Sequence, residues 1–405
     1  VGISMENFLL ISPQFPSTYW RFARALKRQG FNVVGIGNAP YYELSLELKE
    51  NLSEYYYCSD MENYQSLYKA VAFLSFKHGK MDFIESNNEY WLASDAQLRS
   101  DFNIDTGPQN NFISNIKEKS KMKVFYQQAG VAVARYILPV AKDDILSFAK
   151  KVGFPLFAKP NVGVGATHTF KINSLSDIDI FWENHDFTSS YIIEEFIDGT
   201  IVSFDGIVNS HSEPVLMVSH VFPQPNDILV NELTDDFYYT LPFVPSDLEM
   251  VGRQVLKAFG IKKRFFHLEF FRLNRDQFIG KQGDIVALEV NMRPAGGYTP
   301  DMINISQSLD CYEIYADVMK NDKTTLHLDG EKFYCMECAR RKEHIGTYAN
   351  DDIAIHERYR DELQNSGQYP SVLATGMGDF FYMGRFHTLE EALAFRDFIL
   401  SRKNQ

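Results

Sequence analysis

Phe265-Phe266-His267-Leu268-Glu269-Phe270-Phe271-Arg272-Leu273 and Asp284-Ile285-Val286-Ala287-Leu288-Glu289-Val290-Asn291-Met292 are two apolar runs joined by the polar, glycine-containing residues 274–283. Each run reads as a strand and the pair as a hairpin. With the turn centred near Ile279, Glu269 falls across from Glu289. Side chains alternate along a strand, so His267 and Glu269 share one face, and so do Glu289, Asn291 and Arg293. Two carboxylates directly opposed on one face repel, and sheets avoid that pairing unless something offsets the charge. One acid could take up a proton. The pair could instead lie on a solvated hairpin, or grip a hard divalent cation with Asn291 supplying a third oxygen. The metal reading is adopted, with Glu269, Glu289 and Asn291 as ligands and Mg²⁺ as the ion.

At 405 residues the chain exceeds a single core, so two or three domains are expected. Its net charge of −13 and lack of a basic stripe argue against a nucleic-acid partner. No apolar run reaches the roughly 18 residues of a membrane span, so no membrane partner is expected. Four cysteines in so long a chain fit a reducing, cytoplasmic compartment and no disulfide framework. Cys335 and Cys338 form a lone C-x-x-C within an apolar run, without the second pair or histidines of a structural zinc site. Val1-Gly2-Ile3-Ser4 before Met5 reads as an expression remnant and is set aside.

Outward from the hairpin, residues 7–12 read as a strand. Ser17 and Thr18 offer an N-cap for a helix through Lys27 that Gly30 ends, and residues 31–36 form the next strand. This βαβ opening predicts a doubly wound, Rossmann-like N-terminal domain, although its first turn lacks G-x-G-x-x-G. Tyr55-Tyr56-Tyr57-Cys58, a helix near 61–77 and a strand at 81–85 continue it, and Asn87, Asn88, Glu89 and Tyr90 follow at a carboxyl edge. A polar loop is the plain reading of those four; ligand contact is the functional one.

Residues 117–130 read as a Lys-rich helix and 156–159 as a strand. The turn Gly163-Val164-Gly165-Ala166-Thr167-His168-Thr169 leads into the strand Phe170-Lys171-Ile172. A Gly-x-Gly-x-Thr turn beside a lysine can lay backbone N–H groups on phosphate oxygens, or be a plain hairpin. Strands follow at 191–197, 201–209 and 214–222, then a long irregular segment, 223–245, and a helix over 247–260. Residues 299–320 read as helical. Beyond it come a strand at 333–339, a Pro/Gly-rich connection at 367–378, a strand at 379–386 and a helix at 388–402.

From about Lys117 to Met319 these motifs resemble the ATP-grasp superfamily, which includes biotin carboxylases, D-alanine–D-alanine ligases and amino-acid ligases. Lys119-Ser120-Lys121-Met122-Lys123 before Ala129-Gly130-Val131 is similar to its first lysine motif. Lys119 is the matching phosphate contact, with Lys121 and Lys123 as alternatives in register. Phe157-Ala158-Lys159-Pro160 is similar to the second lysine motif, and the loop with Gly163, Gly165, Ala166 and Thr167 to the lid. Glu194-Glu195-Phe196-Ile197 is similar to the adenine hinge, and Glu269…Glu289-x-Asn291-x-Arg293 to the metal signature. Where the family often carries a ribose-binding acid this chain has Ile201, with Asp205 as the candidate substitute.

The resemblance implies an α/β and α+β multidomain protein. Residues 5–115 would be the Rossmann-like domain, 116–320 the ATP-grasp unit with a lid at about 131–195, and 321–405 a small α+β region. It also implies ATP with Mg²⁺, for which Mn²⁺ can substitute. Lys159 and Arg293 would be catalytic, and His267 would be a further nucleotide contact unless it is a satisfied structural histidine. The expected reaction joins a small carboxylate, activated as an acyl phosphate, to an amine, with an amino acid as one substrate. The rivals are a bicarbonate-using carboxylase, a phosphotransferase and a non-catalytic nucleotide-binding module. The chain has no Met-Lys-Met biotinylation segment. Oligomeric state stays open, a homodimer being admissible.

Overall fold

The computed structural model describes residues 5–163, 168–224, 232 and 234–403. The four residues before Met5 lie outside that set, as do Gly165, Ala166 and Thr167 of the glycine turn. Among the described residues no helix is long and apolar enough to cross a membrane.

Strands β1 (Asn7–Ile11), β2 (Asn32–Gly37), β3 (Glu54–Tyr57) and β4 (Phe83–Glu85) form a parallel sheet in the order β3-β2-β1-β4. β1 is buried along its whole length, as its unbroken apolar run requires of a strand covered on both faces. The helix Trp20–Arg28 connects β1 to β2 and ends just before Gly30, at φ +85°. Its N-cap is Tyr19 with no side-chain hydrogen bond, so the cap expected from Ser17 or Thr18 is not used.

Strands β5 (Tyr136–Ile137), β6 (Leu156–Pro160), β7 (Phe170–Ile172) and β8 (Tyr191–Glu195) form an antiparallel sheet in the order β5-β8-β6-β7. Two helices absent from the sequence expectation, Lys142–Val152 and Leu175–Asn184, pack on it through Ile145, Phe148, Ile178 and Phe181. Ser174 caps the second by accepting from the Asp177 N–H.

The third sheet holds β9 (Gly199–Val208), β10 (Pro214–Val218), β11 (His220–Phe222), β12 (Asp236–Thr240), β13 (Arg264–Leu273), β14 (Ile285–Asn291), β15 (Tyr334–Arg340), β16 (Leu363–Gln368) and β17 (Phe380–Phe386). Its order is β14-β13-β9-β11-β12-β15-β17-β16, with β10 also paired to β9. Three expectations change here. The strand expected over 214–222 is two, β10 and β11, separated at Ser219. The irregular 223–245 segment contains β12, which links β11 to β15. The connection at 367–378 contains the end of β16 and the helix Ser371–Met377. The C-terminal strands therefore extend the sheet of the central hairpin and make no sheet of their own.

The helical stretch over 299–320 is two helices, Thr299–Gln307 and Cys311–Asn321, parted at Ser308 with φ +54°. Asp310 caps the second by accepting from the Tyr312 and Glu313 N–H groups. That helix joins the first sheet to the third: Phe22 packs edge-on against Tyr312 and Tyr315, with ring centroids 4.8 and 5.0 Å away. Buried Glu85 at the end of β4 also accepts from Arg99 at 2.8 Å and from Arg264 of β13 at 2.9 Å. The carboxyl edge of the first sheet is thus held against the central hairpin.

Candidate active site

β13 and β14 pair as the sequence requires, with Glu269 opposite Glu289 and His267 opposite Asn291. A bulge follows, since Phe270 pairs with Ala287 and leaves Leu288 as the extra residue. Both acids line a cleft of about 290 Å³ that also receives Lys119, Lys123, Lys159, Glu194, Asn291 and Arg293. The second sheet forms one wall of this cleft and the third sheet the other.

The two acids differ electrically. Burial opposes ionisation of Glu269, but the hydrogen bond and charge of His267 outweigh it and hold this carboxyl below the usual range. Glu289 is pushed up, first by burial and further by the charge of Glu269, against the pull of Lys119. The Lys119 ammonium lies 4.0 Å from Glu289 Oε1 and donates to the Gly163 carbonyl at 2.8 Å. An acid pair left partly uncompensated, with an amide oxygen beside it, is an all-oxygen donor set suited to a hard divalent cation. The residues present therefore fit Mg²⁺.

Glu194, the last but one residue of β8, bridges two lysines: Lys123 Nζ at 2.5 Å and Lys159 Nζ at 2.7 Å. Burial raises its pKa, but these two charges prevail and hold it down to about 2. Glu195 also lines the cleft, with its carboxylate accepting from Arg135 Nε at 2.9 Å and Nη2 at 2.6 Å. Phe157, Phe196, Ile197, Ile201, Phe271 and Leu288 give this end of the cleft an apolar lining. Lys121 is exposed and pairs with Glu118 at 3.0 Å, so of the three lysines in that motif Lys119 and Lys123 reach the cleft.

Two sequence-based expectations are corrected. Asp205 does not line the cleft: it is 2% exposed and lies between His220 and His267. Asp198 is the acid that lines the cleft beside Ile201, and it accepts from Asn274 Nδ2 at 2.9 Å and Arg275 Nε at 2.8 Å. His267 does not line the cleft either, because its two ring nitrogens face Asp205 and Glu269. It is the satisfied histidine of the two readings.

Glu89 is the residue whose part the sequence left undecided. Its carboxylate accepts from Arg293 Nε and from Lys117 Nζ, each at 2.9 Å. Arg293 also donates to Asn291 Oδ1 at 3.1 Å and to its neighbour's carbonyl, that of Pro294, at 2.9 Å. Asn88 accepts from the Tyr90 N–H and so turns the chain after β4, which brings Glu89 over the hairpin.

No known protein-family profile matches the chain. It superposes over its full length on the full length of an L-amino acid ligase from Bacillus licheniformis, with TM-score 0.74 and 16% identity. The chain has the ATP-grasp fold. The biotin carboxylase domain of a Hydrogenobacter thermophilus 2-oxoglutarate carboxylase, solved with MgADP, shares this fold. It aligns with TM-score 0.68 and 15% identity over 97% of this chain and 89% of that one. In sequence, 275 residues are 24% identical to an L-arginine-specific L-amino acid ligase from Bacillus subtilis. That match covers 66% of this chain and spans 64% of the relative's length. Within the ATP-grasp fold, the cleft lies between the two antiparallel sheets.

Proposed function

We propose that the protein is an ATP-dependent carboxylate–amine ligase, with an amino acid as one substrate. The observation that carries this reading is the convergence of Lys119, Lys123, Lys159, the opposed acids and Arg293 on one cleft. The amino-acid ligases among its structural and sequence relatives support it.

Lys119, Lys123 and Lys159 would gather the phosphate oxygens of ATP, which would replace Glu194 as the counter-charge that Lys123 and Lys159 share. The apolar wall at Phe157, Phe196, Ile197 and Leu288 would receive the purine, and Asp198, which lines the cleft beside Ile201, would meet a ribose hydroxyl. Glu269, Glu289 and Asn291 would hold Mg²⁺, which would supply positive charge to offset the charge of the transferring phosphate. Arg293, planar and permanently charged, would orient the substrate carboxylate.

A carboxylate oxygen attacks the γ-phosphorus, the bond from that phosphorus to the β–γ bridging oxygen breaks, and ADP leaves with the electron pair. The acyl phosphate so formed has an electrophilic carbonyl carbon. An uncharged amine attacks it, the carbon–oxygen bond to phosphate breaks, and the departing phosphate takes up the proton that the nitrogen releases. Water must be kept from the acyl phosphate, so the cleft must exclude solvent once both substrates are bound.

The reading is tested by measuring ADP release over amino acids supplied singly and in pairs. It predicts release that depends on a carboxylate and an amine together and yields an amide product. Bicarbonate-dependent ADP release without an amine would replace it with a carboxylase-like reaction, and tight ATP binding without any ADP would remove the enzymatic reading.

A further inference from the structure

Behind Glu269 a line of hydrogen bonds crosses three adjacent strands of the third sheet. His267 Nε2 lies 2.9 Å from Glu269 Oε1, and His267 Nδ1 bonds Asp205 Oδ1. The other oxygen of Asp205 accepts from His220 Nδ1 at 2.6 Å and from the Ser203 hydroxyl. Strand register produces this line directly: His267 pairs with Asp205 and Glu269 with Ser203, while Val221 pairs with Val202. Asp205, Ser203 and His220 are almost wholly buried.

Burying an ionised acid is unfavourable unless it is paired and both of its oxygens are hydrogen-bonded. Asp205 meets that condition with three donors from two neighbouring strands and its own. A network whose only task was to pair β9 with β11 could end there. This one runs on through His267 to Glu269, an acid of the cleft. Because Asp205 accepts from Nδ1, the opposite nitrogen of the ring is aimed along a set direction at Glu269.

We propose that His267 is a positioning residue of the cation site: it pins one carboxylate oxygen of Glu269 and leaves the other to face Glu289 and Asn291. Asp205 in turn fixes the ring. The inference rests on the cation site of the proposed function and adds to it a partner behind the ligand. Fixing a free glutamate side chain costs rotamer entropy, and His267 places that cost in folding and not in ligand binding. Partners of this kind typically change metal affinity by about 10–100-fold when lost.

The test is a titration of the protein with Mn²⁺ in the presence of ADP, following free Mn²⁺ by electron paramagnetic resonance. Wild type, His267→Leu, His267→Gln and Asp205→Asn are compared, each checked for folding by thermal melting. His267→Leu should weaken Mn²⁺ binding about 10–100-fold, and His267→Gln should recover most of the loss because its amide can donate to Glu269. In steady-state assays the His267→Leu defect should appear as a raised Mg²⁺ requirement, with kcat restored at high Mg²⁺. A folded His267→Leu protein that binds Mn²⁺ as tightly as wild type would overturn the proposal, as would a glutamine variant no better than leucine. If the leucine variant does not fold, Asp205→Asn carries the test, and unchanged Mn²⁺ affinity there overturns it. Wild type that binds no Mn²⁺ with ADP would instead remove the cation site itself.

Discussion

Glu89 and Arg293 lie 204 positions apart in sequence and form an ion pair of 2.9 Å. The carboxylate comes from the loop after the last strand of the parallel sheet, the guanidinium from the end of the central hairpin. With Asn291 and the Pro294 carbonyl, Glu89 completes the set of acceptors that orient the arginine. Glu89→Ala would leave a mostly buried cation without its counter-charge and free to turn. We expect kcat/KM for ADP formation to fall about 10–100-fold, equivalent to roughly 1.4–2.7 kcal/mol, with Glu89→Gln intermediate. A Glu89→Ala enzyme with undiminished kcat/KM would show that this contact does not organise the site.

Lys159 and Lys123 share Glu194 in the free protein. Lys159→Ala should abolish ATP turnover while leaving the protein folded, because Lys123 remains to balance the acid. Glu194→Gln strips both ammonium groups of their partner and should destabilise the free protein by about 3–5 kcal/mol. Bound ADP should return part of that loss. Thermal melts with and without ADP would reveal it as a larger ligand-induced rise in Tm for Glu194→Gln than for wild type. An equal rise in the two proteins would contradict the shared role of these lysines in holding phosphate.

Two buried acids should give opposite pH slopes. Glu194 is held down to about 2 by its lysines, against an ordinary value of 4.5. Between those values the unfolded chain binds the extra proton, so stability rises with pH and is lost as pH falls. Glu337 of β15 is pushed up to about 8 by burial, despite the Tyr369 and Tyr238 hydroxyls that bond it. Here the folded chain holds the proton from pH 4.5 to about 8 and stability declines as pH rises through that window. Urea denaturation of Glu337→Gln should therefore show a flatter decline than wild type between pH 5 and 8, and Glu194→Gln a flatter rise below about pH 4.5. Identical profiles for wild type and Glu337→Gln would mean that this acid is ionised in the native state.

The Glu269 end of the hairpin is legible because the side-chain period of a strand is two and a register centred near Ile279 sets which residues oppose, whereas the bulge that pairs Phe270 with Ala287 left no mark in the sequence. That register put Glu269 opposite Glu289 without reference to any relative. The helices Lys142–Val152 and Leu175–Asn184 carry ordinary signals, such as Ser174 three residues before Asp177, but their short patterns sit between strands and do not stand out from them. Elsewhere the outcome depended on tertiary pairing. The residues of β12 became a strand because β11 and β15 flank them. Asp205 looked like a ribose contact by position in the chain, yet β9 turns it toward two histidines. Glu89 could not be placed from sequence, since its partners arrive from Lys117 and Arg293, far along the chain.

The central claim is that the opposed acids of the hairpin hold a divalent ion against a nucleotide. Crystals grown with Mn²⁺ and ADP test it through the anomalous signal of the metal. We predict a peak between Glu269 and Glu289, with carboxylate oxygens of both and Asn291 Oδ1 about 2.0–2.5 Å away and Lys119 and Lys159 on the phosphates. Nucleotide bound in the cleft with no metal peak at the two acids, or with Glu289 protonated and turned away, would contradict it.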